Sequence, residues 1–176
     1  MQLPDLDAKN GLQLFLFAIM KAATLNDIKK ELTGHSNKQL LELCLRLGRF
    51  KKENKELLTY LLFEAQNEED YIRDIKSEID LQFEEINAAN LYWAKKTLRK
   101  ILRNINKHIR YSGFAQTAAE LLIYYCTKLN NSGIKYQESN ALSNLYAAQL
   151  KKINKYIDSM HEDLQYDFKK QVEELM

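Results

Sequence analysis

From Asn67 to Asn87 the apolar residues Ile72, Ile75, Ile79, Phe83 and Ile86 recur at steps of three or four. At 3.6 residues per turn they wind into one narrow stripe, which predicts an amphipathic helix with a single buried face. The next segment, about Leu91 to Arg110, repeats the pattern with Leu91, Ala94, Leu98, Ile101, Leu102, Ile105 and Ile109, and the turn Ser112-Gly113 closes it. Residues 114–129 differ, because Ala115, Ala118, Ala119, Leu121, Leu122, Ile123, Tyr125, Cys126 and Leu129 cover most of the circumference. A helix that is apolar nearly all round belongs at the centre of a bundle.

Upstream, Thr24 stands three residues before Asp27 and Ser36 three before Gln39. Each is a box that satisfies the orphan N–H groups at a helix start. The spacing predicts a short helix over 25–33 stopped by Gly34, then a second helix with Leu40, Leu41, Leu43, Cys44, Leu45 and Leu47, ended or weakened by Gly48. A third helix is expected to bury Leu57, Leu58, Leu61 and Leu62 and leave Lys51, Lys52, Lys55 and Glu56 outside. The run Leu12 to Met20, after Asn10-Gly11, reads as a buried helix.

In the tail, Tyr146, Leu150, Ile153, Ile157, Met160 and Leu164 recur at steps of four, three, four, three and four, the period of a coiled-coil seam. After the loop Asn130-Asn131-Ser132-Gly133 there is neither glycine nor proline. The simplest expectation is one helix from Tyr136 to Leu175, about 60 Å long, whose far end overhangs and pairs with a second copy. The alternative is a break near Asp158-Ser159-Met160 that folds the last turns back. Pro4 is the only proline, and strong helix formers dominate. The fold class is therefore all-α: an irregular multi-helix bundle over residues 1–130, with a long C-terminal helix or helical hairpin over 131–176.

Composition changes this picture little. The 26 basic and 24 acidic residues nearly cancel, so any electrostatic partner must be read from local clusters. Those clusters exist. Between Glu64 and Glu85 nine acids face two bases, a net of −7, whereas Leu91 to Arg110 carries seven bases and no acid, a net of +7. Lys96, Arg99, Lys100, Arg103, Lys107 and Arg110, with Tyr92 and Trp93, all fall within about 60° of Lys96 on a helical wheel, opposite the apolar stripe. Aromatic rings beside a row of cations suit nucleic acid, stacking on bases while the cations hold phosphates. The alternative is a hairpin of acidic and basic helices attracting along their flanks, with the outer charges solvated. A basic helix lying on a membrane would need its apolar face free, and that face is expected in the core.

Ile28-Lys29-Lys30-Glu31-Leu32, Ser36 with Gln39-Leu40-Leu41-Glu42-Leu43, Lys55-Glu56-Leu57-Leu58 and Ala94-Lys95-Lys96 before Leu98 together resemble a conserved family of small all-helical bacterial proteins of uncharacterised function. The resemblance covers about residues 25–130. It implies a helical fold and carries over no catalytic residue.

Enzymatic signatures are missing: the chain has no Walker loop, no G-x-G-x-x-G, no G-x-S-x-G and no H-E-x-x-H. Asp158-x-x-His161 is the nearest approach to a di-metal helix motif, and it occurs once. His35 is placed in a turn, His108 on a polar or boundary position and His161 in the tail. Cys44 and Cys126 read as free, buried thiols of a reducing cytoplasm. The nine-residue run from Leu12 to Met20, apolar but for Gln13, follows Asp5 and Asp7 with a single Lys9 rather than a basic start, and it is too short for a bilayer, so neither a signal peptide nor a membrane span is expected. No metal or cofactor is implied. The expected role is non-enzymatic: a cytoplasmic protein associating with another protein or itself through the tail stripe, or, alternatively, a nucleic-acid-binding module using the basic helix 91–110.

Overall fold

The computed structural model describes residues 22–88 and 90–175; the expected helix at 12–20 lies outside them. The described residues form helices and connecting turns with no strand among them. The described residues divide into two compact units, one ending at Phe50 and the other starting at Lys51. The loop at Asn130–Gly133, expected to part a body from a tail, lies inside the second unit.

In the first unit, α1 (Leu25–Thr33) and α2 (Asn37–Phe50) follow their start boxes. Thr24 accepts from the Asp27 N–H at 3.2 Å. Ser36 and Gln39 bond reciprocally: the Ser36 N–H donates to Gln39 Oε1 at 2.8 Å, and the Gln39 N–H to Ser36 Oγ at 3.4 Å. Helix α2 runs through Gly48, a tolerable interruption at about 1 kcal/mol relative to alanine. Neither helix buries a residue. Cys44, expected inside, is accordingly exposed, whereas Cys126 is buried; both are free thiols.

The second unit starts with α3 (Lys52–Thr59) and a single π-helical turn, Tyr60–Glu64, in which the Ala65 N–H reaches back to the Tyr60 carbonyl at 2.8 Å. That wider turn shifts the register. Tyr60 goes into the core, while Leu61 and Leu62, expected to be buried, are 54% and 62% exposed. Helix α4 (Glu68–Glu84) buries Ile72, Ile75 and Ile79, and α5 (Leu91–Ser112) buries Ala94, Leu98, Ile101, Leu102, Ile105 and Ile109, as their stripes require. Gly113 ends α5 at φ 74°, a left-handed conformation that glycine adopts without strain. Helix α6 (Ala115–Asn131) buries nine residues and packs against α4, α5 and both tail helices, which makes it the central helix.

The tail is two helices, α7 (Asn140–Asp158) and α8 (Glu162–Glu173), not one. The break at Ser159–His161 lets Phe168, Val172 and Leu175 return to the core. The stripe expected to meet a second copy is thus used within the chain, largely against α6. Tyr146, Ile153 and Ile157 are buried, Leu150 and Met160 are packed against the core, and Leu164 alone is exposed. Burying these side chains internally removes the wet apolar overhang on which self-pairing of this seam rested.

Candidate functional site

Helix α5 presents its inner face to the core and its outer face to solvent, so the periodicity that buries Leu98, Ile101 and Ile105 also sets where the cations go. Lys96, Arg99, Lys100, Arg103 and Arg110 are exposed, and Tyr92 and Trp93 are 66% and 53% exposed. Lys107 departs from the group. It is half-buried and lies 2.9 Å from Glu56 Oε2 on α3, and this bond holds the Glu56 carboxyl below its ordinary value. The stripe from Lys96 to Arg110 runs about 21 Å at 1.5 Å per residue.

At its start the Asn90 side chain caps α5 by accepting from the N–H groups of Tyr92 and Trp93, which fixes both residues on the first turn. Their rings meet edge to face at 5.3 Å. Lys95 Nζ stands 5.8 Å from the Tyr92 ring and Lys96 Nζ 5.3 Å from the Trp93 ring. Cations and π-faces therefore share one patch.

The hairpin of α4 and α5 forms, but its flanks are not held by opposite charge. Among the described residues no Lys or Arg of α5 is ion-paired to an acid of α4. The ion pairs from α4 reach α6 instead: Lys76 to Glu120 at 2.6 Å and Asp80 to Lys128 at 2.8 Å. What joins α4 to α5 at the side is hydrogen bonding, from Asn104 to Glu78 at 2.9 Å and between the Tyr71 hydroxyl and His108 Nδ1 at 2.9 Å. Pairing 78 with 104 and 71 with 108 makes the two helices antiparallel. The consequence is that Arg99, Lys100, Arg103 and Arg110 have no ion-pair partner among the described residues.

The outer face of α5 opens onto a groove of about 720 Å3 lined by Lys100, Arg103 and Arg110, with Glu78 of α4, Glu53 of α3 and Tyr156 of α7 among the walls. Lys152 of α7 donates to Asn106 at 3.2 Å along the other flank. Tyr156 is absent from the residues expected at the site. Forty-six positions separate it from Arg110, and no local pattern links them.

A second cluster lies beside the π-turn, where the Glu68 carboxylate accepts from Tyr60 Oη at 2.8 Å, from Thr117 Oγ1 at 2.6 Å and from Ser112 Oγ. Tyr111 donates to Glu56 at 2.9 Å, and burial first, then that carboxylate, pushes the phenol up to about 12. These bonds tie the ends of α3, α4, α5 and α6 together and hold α5 in place. Of the other histidines, His35 Nδ1 sits 2.9 Å from the Glu31 carbonyl, and His161 is the N-cap of α8. Burial pushes the Cys126 thiol up to about 12, so it stays protonated and unreactive.

Among the described residues no group of three His, Cys, Asp or Glu side chains is placed to hold a metal ion, and no helix is long and apolar enough to cross a membrane. Fold and site together define an all-α protein with one helix face that is basic, aromatic-flanked and open. No family model, curated protein or solved structure matches the chain.

Proposed function

We propose that this protein works by binding rather than by catalysis, and that the outer face of α5 is a nucleic-acid interface. The observation that carries this is the row Lys96, Arg99, Lys100, Arg103 and Arg110, exposed and without acid partners among the described residues, beginning at two exposed aromatic rings. Unpaired cations in a row release counterions when they meet phosphates, and every contact adds roughly one unit to the salt slope of log affinity. The test is a titration of labelled RNA and DNA at two salt concentrations, with wild type and with Lys100→Glu/Arg103→Glu. Binding is expected to weaken steeply with salt and to be lost in the variant. The variant should still fold with a cooperative melt, because neither side chain is in an ion pair among the described residues and the new acids beside Glu78 and Glu53 cost little on an exposed face. No binding tighter than about 100 μM, the weak end of non-specific affinity, would remove this reading.

Association with another protein or a second copy is the second reading, and a different surface supports it. Helices α1 and α2 leave Leu25, Ile28, Leu32, Leu41, Leu43 and Leu45 exposed and bury nothing. Apolar faces of this kind mark protein contacts. Sedimentation of wild type against Leu41→Glu/Leu45→Glu tests it, with a wild-type oligomer returned to monomer as the expected outcome and monomers throughout as the contrary one.

A further inference from the structure

Because α5 is only half free, the width of its basic face decides what fits it. A helix with side chains is about 10–12 Å across, and the major groove of a duplex is about 12 Å wide. A helix reading a duplex needs phosphates of two strands to fall on cations at both of its edges. The edges of α5 are not alike. On the α4 side Glu78 lines the groove beside Lys100 and Arg103, and Asp74 and Glu85 share its stripe within about 40° on the wheel of α4. Asp74, Glu78 and Glu85 are exposed. Glu53 of α3 adds an acid among the lining of the same groove. On the α7 side the flank is Lys152 and the half-buried ring of Tyr156.

Resting on the nucleic-acid reading above, we infer that this face takes a single strand, one phosphate backbone laid along the α5–α7 side of the stripe, and that the acids of α4 and α3 reject a second strand. One strand needs one row of cations, which Lys96, Arg99, Arg103 and Arg110 supply on the flank that Asn106 shares with Lys152, and rings on which the open faces of its unpaired bases can stack. Tyr92 and Trp93 serve the start of the row, and Tyr156 stands in the groove with Arg103 and Arg110. A duplex offers neither open base faces nor a way to keep its second backbone off Glu78.

Trp93 is the only tryptophan of the chain, so its fluorescence reports binding in the unlabelled 176-residue chain. The probes are an oligothymidylate of about 20 nucleotides, the same strand annealed to its complement, an abasic strand of equal length and polyglutamate, all at low salt. The expected result is quenching of Trp93 by the single strand, with the duplex and the abasic strand each about tenfold weaker, since one stacked base alone accounts for such a factor. The variant Glu53→Gln/Glu78→Gln keeps the hydrogen-bonding amides in place of the carboxylates. It should raise duplex affinity about threefold to fivefold at low salt and leave the single strand nearly unchanged. Duplex bound as tightly as single strand by wild type overturns the strand choice and leaves the nucleic-acid reading standing. Abasic strand or polyglutamate bound as tightly as oligothymidylate also overturns it, because charge alone would then be recognised. Failure of every probe to bind overturns both.

Discussion

The Tyr71 hydroxyl lies 2.9 Å from Nδ1 of His108, and Nε2 of the same ring lies 3.9 Å from Glu78 Oε2. Burial raises the Tyr71 phenol well above its ordinary value. It therefore stays protonated and donates to Nδ1, which leaves the ring proton of neutral His108 on Nε2, facing Glu78. Burial first, and then Lys107, lowers the His108 pKa below 6.5; Glu78 and Glu56 push the other way and are outweighed.

That balance predicts a pH dependence of stability. With the folded pKa depressed, the unfolded chain binds a proton at a pH where the folded protein does not. Stability therefore rises with pH in that window. It is complete above about 6.5 and declines as pH falls from there toward the folded value. The effect of Glu56, whose carboxyl is held low by Lys107, is lost only in the more acidic carboxylate range. His108→Asn keeps an acceptor for Tyr71 without titrating. Urea midpoints of wild type and this variant should converge as pH is lowered from about 7 to about 5.5; parallel curves would show that His108 is not the group responsible.

Glu68 gathers three hydroxyls, from Tyr60, Ser112 and Thr117, and the last of these side chains is 1% exposed. Removing the acceptor leaves donors near the core unpaired, and hydrogen bonds to a charged group contribute about 1.5–3 kcal/mol each. Glu68→Ala should cost about 2–4 kcal/mol, less than the sum because the carboxylate is only half-buried and water replaces part of it. Glu68→Gln keeps one acceptor oxygen and should cost roughly half as much. Chemical denaturation reads both, and a loss below about 0.5 kcal/mol for the alanine variant would show that the three hydroxyls do not depend on it.

Tyr125 gives the opposite case. Its ring is fully buried edge-to-face with Phe83 at 5.6 Å, and no described protein group bonds its hydroxyl. Tyr125→Phe keeps the ring packing and removes a buried polar group, so stability should hold or rise by up to about 1 kcal/mol. A loss of more than about 1 kcal/mol would mean that the hydroxyl has a partner in solution.

How far the chain is legible from its pattern depends on the range of the interactions involved. The stripe Ile72-Ile75-Ile79 and the boxes at Thr24 and Ser36 are local, and the structure follows them. So does the outward row on α5, since a helix that buries Leu98 and Ile105 must expose Lys96 and Arg103. The fate of Leu61 and Leu62 was hidden because a π-turn changes the register without any glycine or proline to announce it. The break after Asp158 was the alternative to one long helix, and no glycine or proline marks it to decide between the two. It is held by Ser159 Oγ bonding the Tyr156 carbonyl at 2.7 Å, by Gln165 reaching the Met160 carbonyl at 2.9 Å, and by the return of Phe168 to the core. Lys107 leaving the row for Glu56 and Tyr156 entering the groove are contacts between distant segments, and periodicity is blind to those.

Tyr146 makes the strongest case that the tail belongs to the core. Its hydroxyl donates to the Leu175 carbonyl at 2.8 Å and accepts from Asn130 at 2.9 Å, and its ring stacks on Tyr136 at 4.9 Å. Beyond it, α8 buries Phe168 and Val172 against the same core, followed by Leu175 just past its end. Each large apolar side chain contributes about 1.5–3 kcal/mol on burial, so losing three removes a large share of the 5–15 kcal/mol typical of a domain. A chain ending at Asp158 should therefore lose its cooperative melt rather than turn from dimer into monomer. Phe168→Ala, a gentler change, should cost about 3–5 kcal/mol in the untruncated chain. Calorimetry of the truncated chain and of this variant, with light scattering alongside, separates the two ideas. An unchanged melting midpoint in both, with a fall in mass on truncation, would return the tail to the role of a dimer seam.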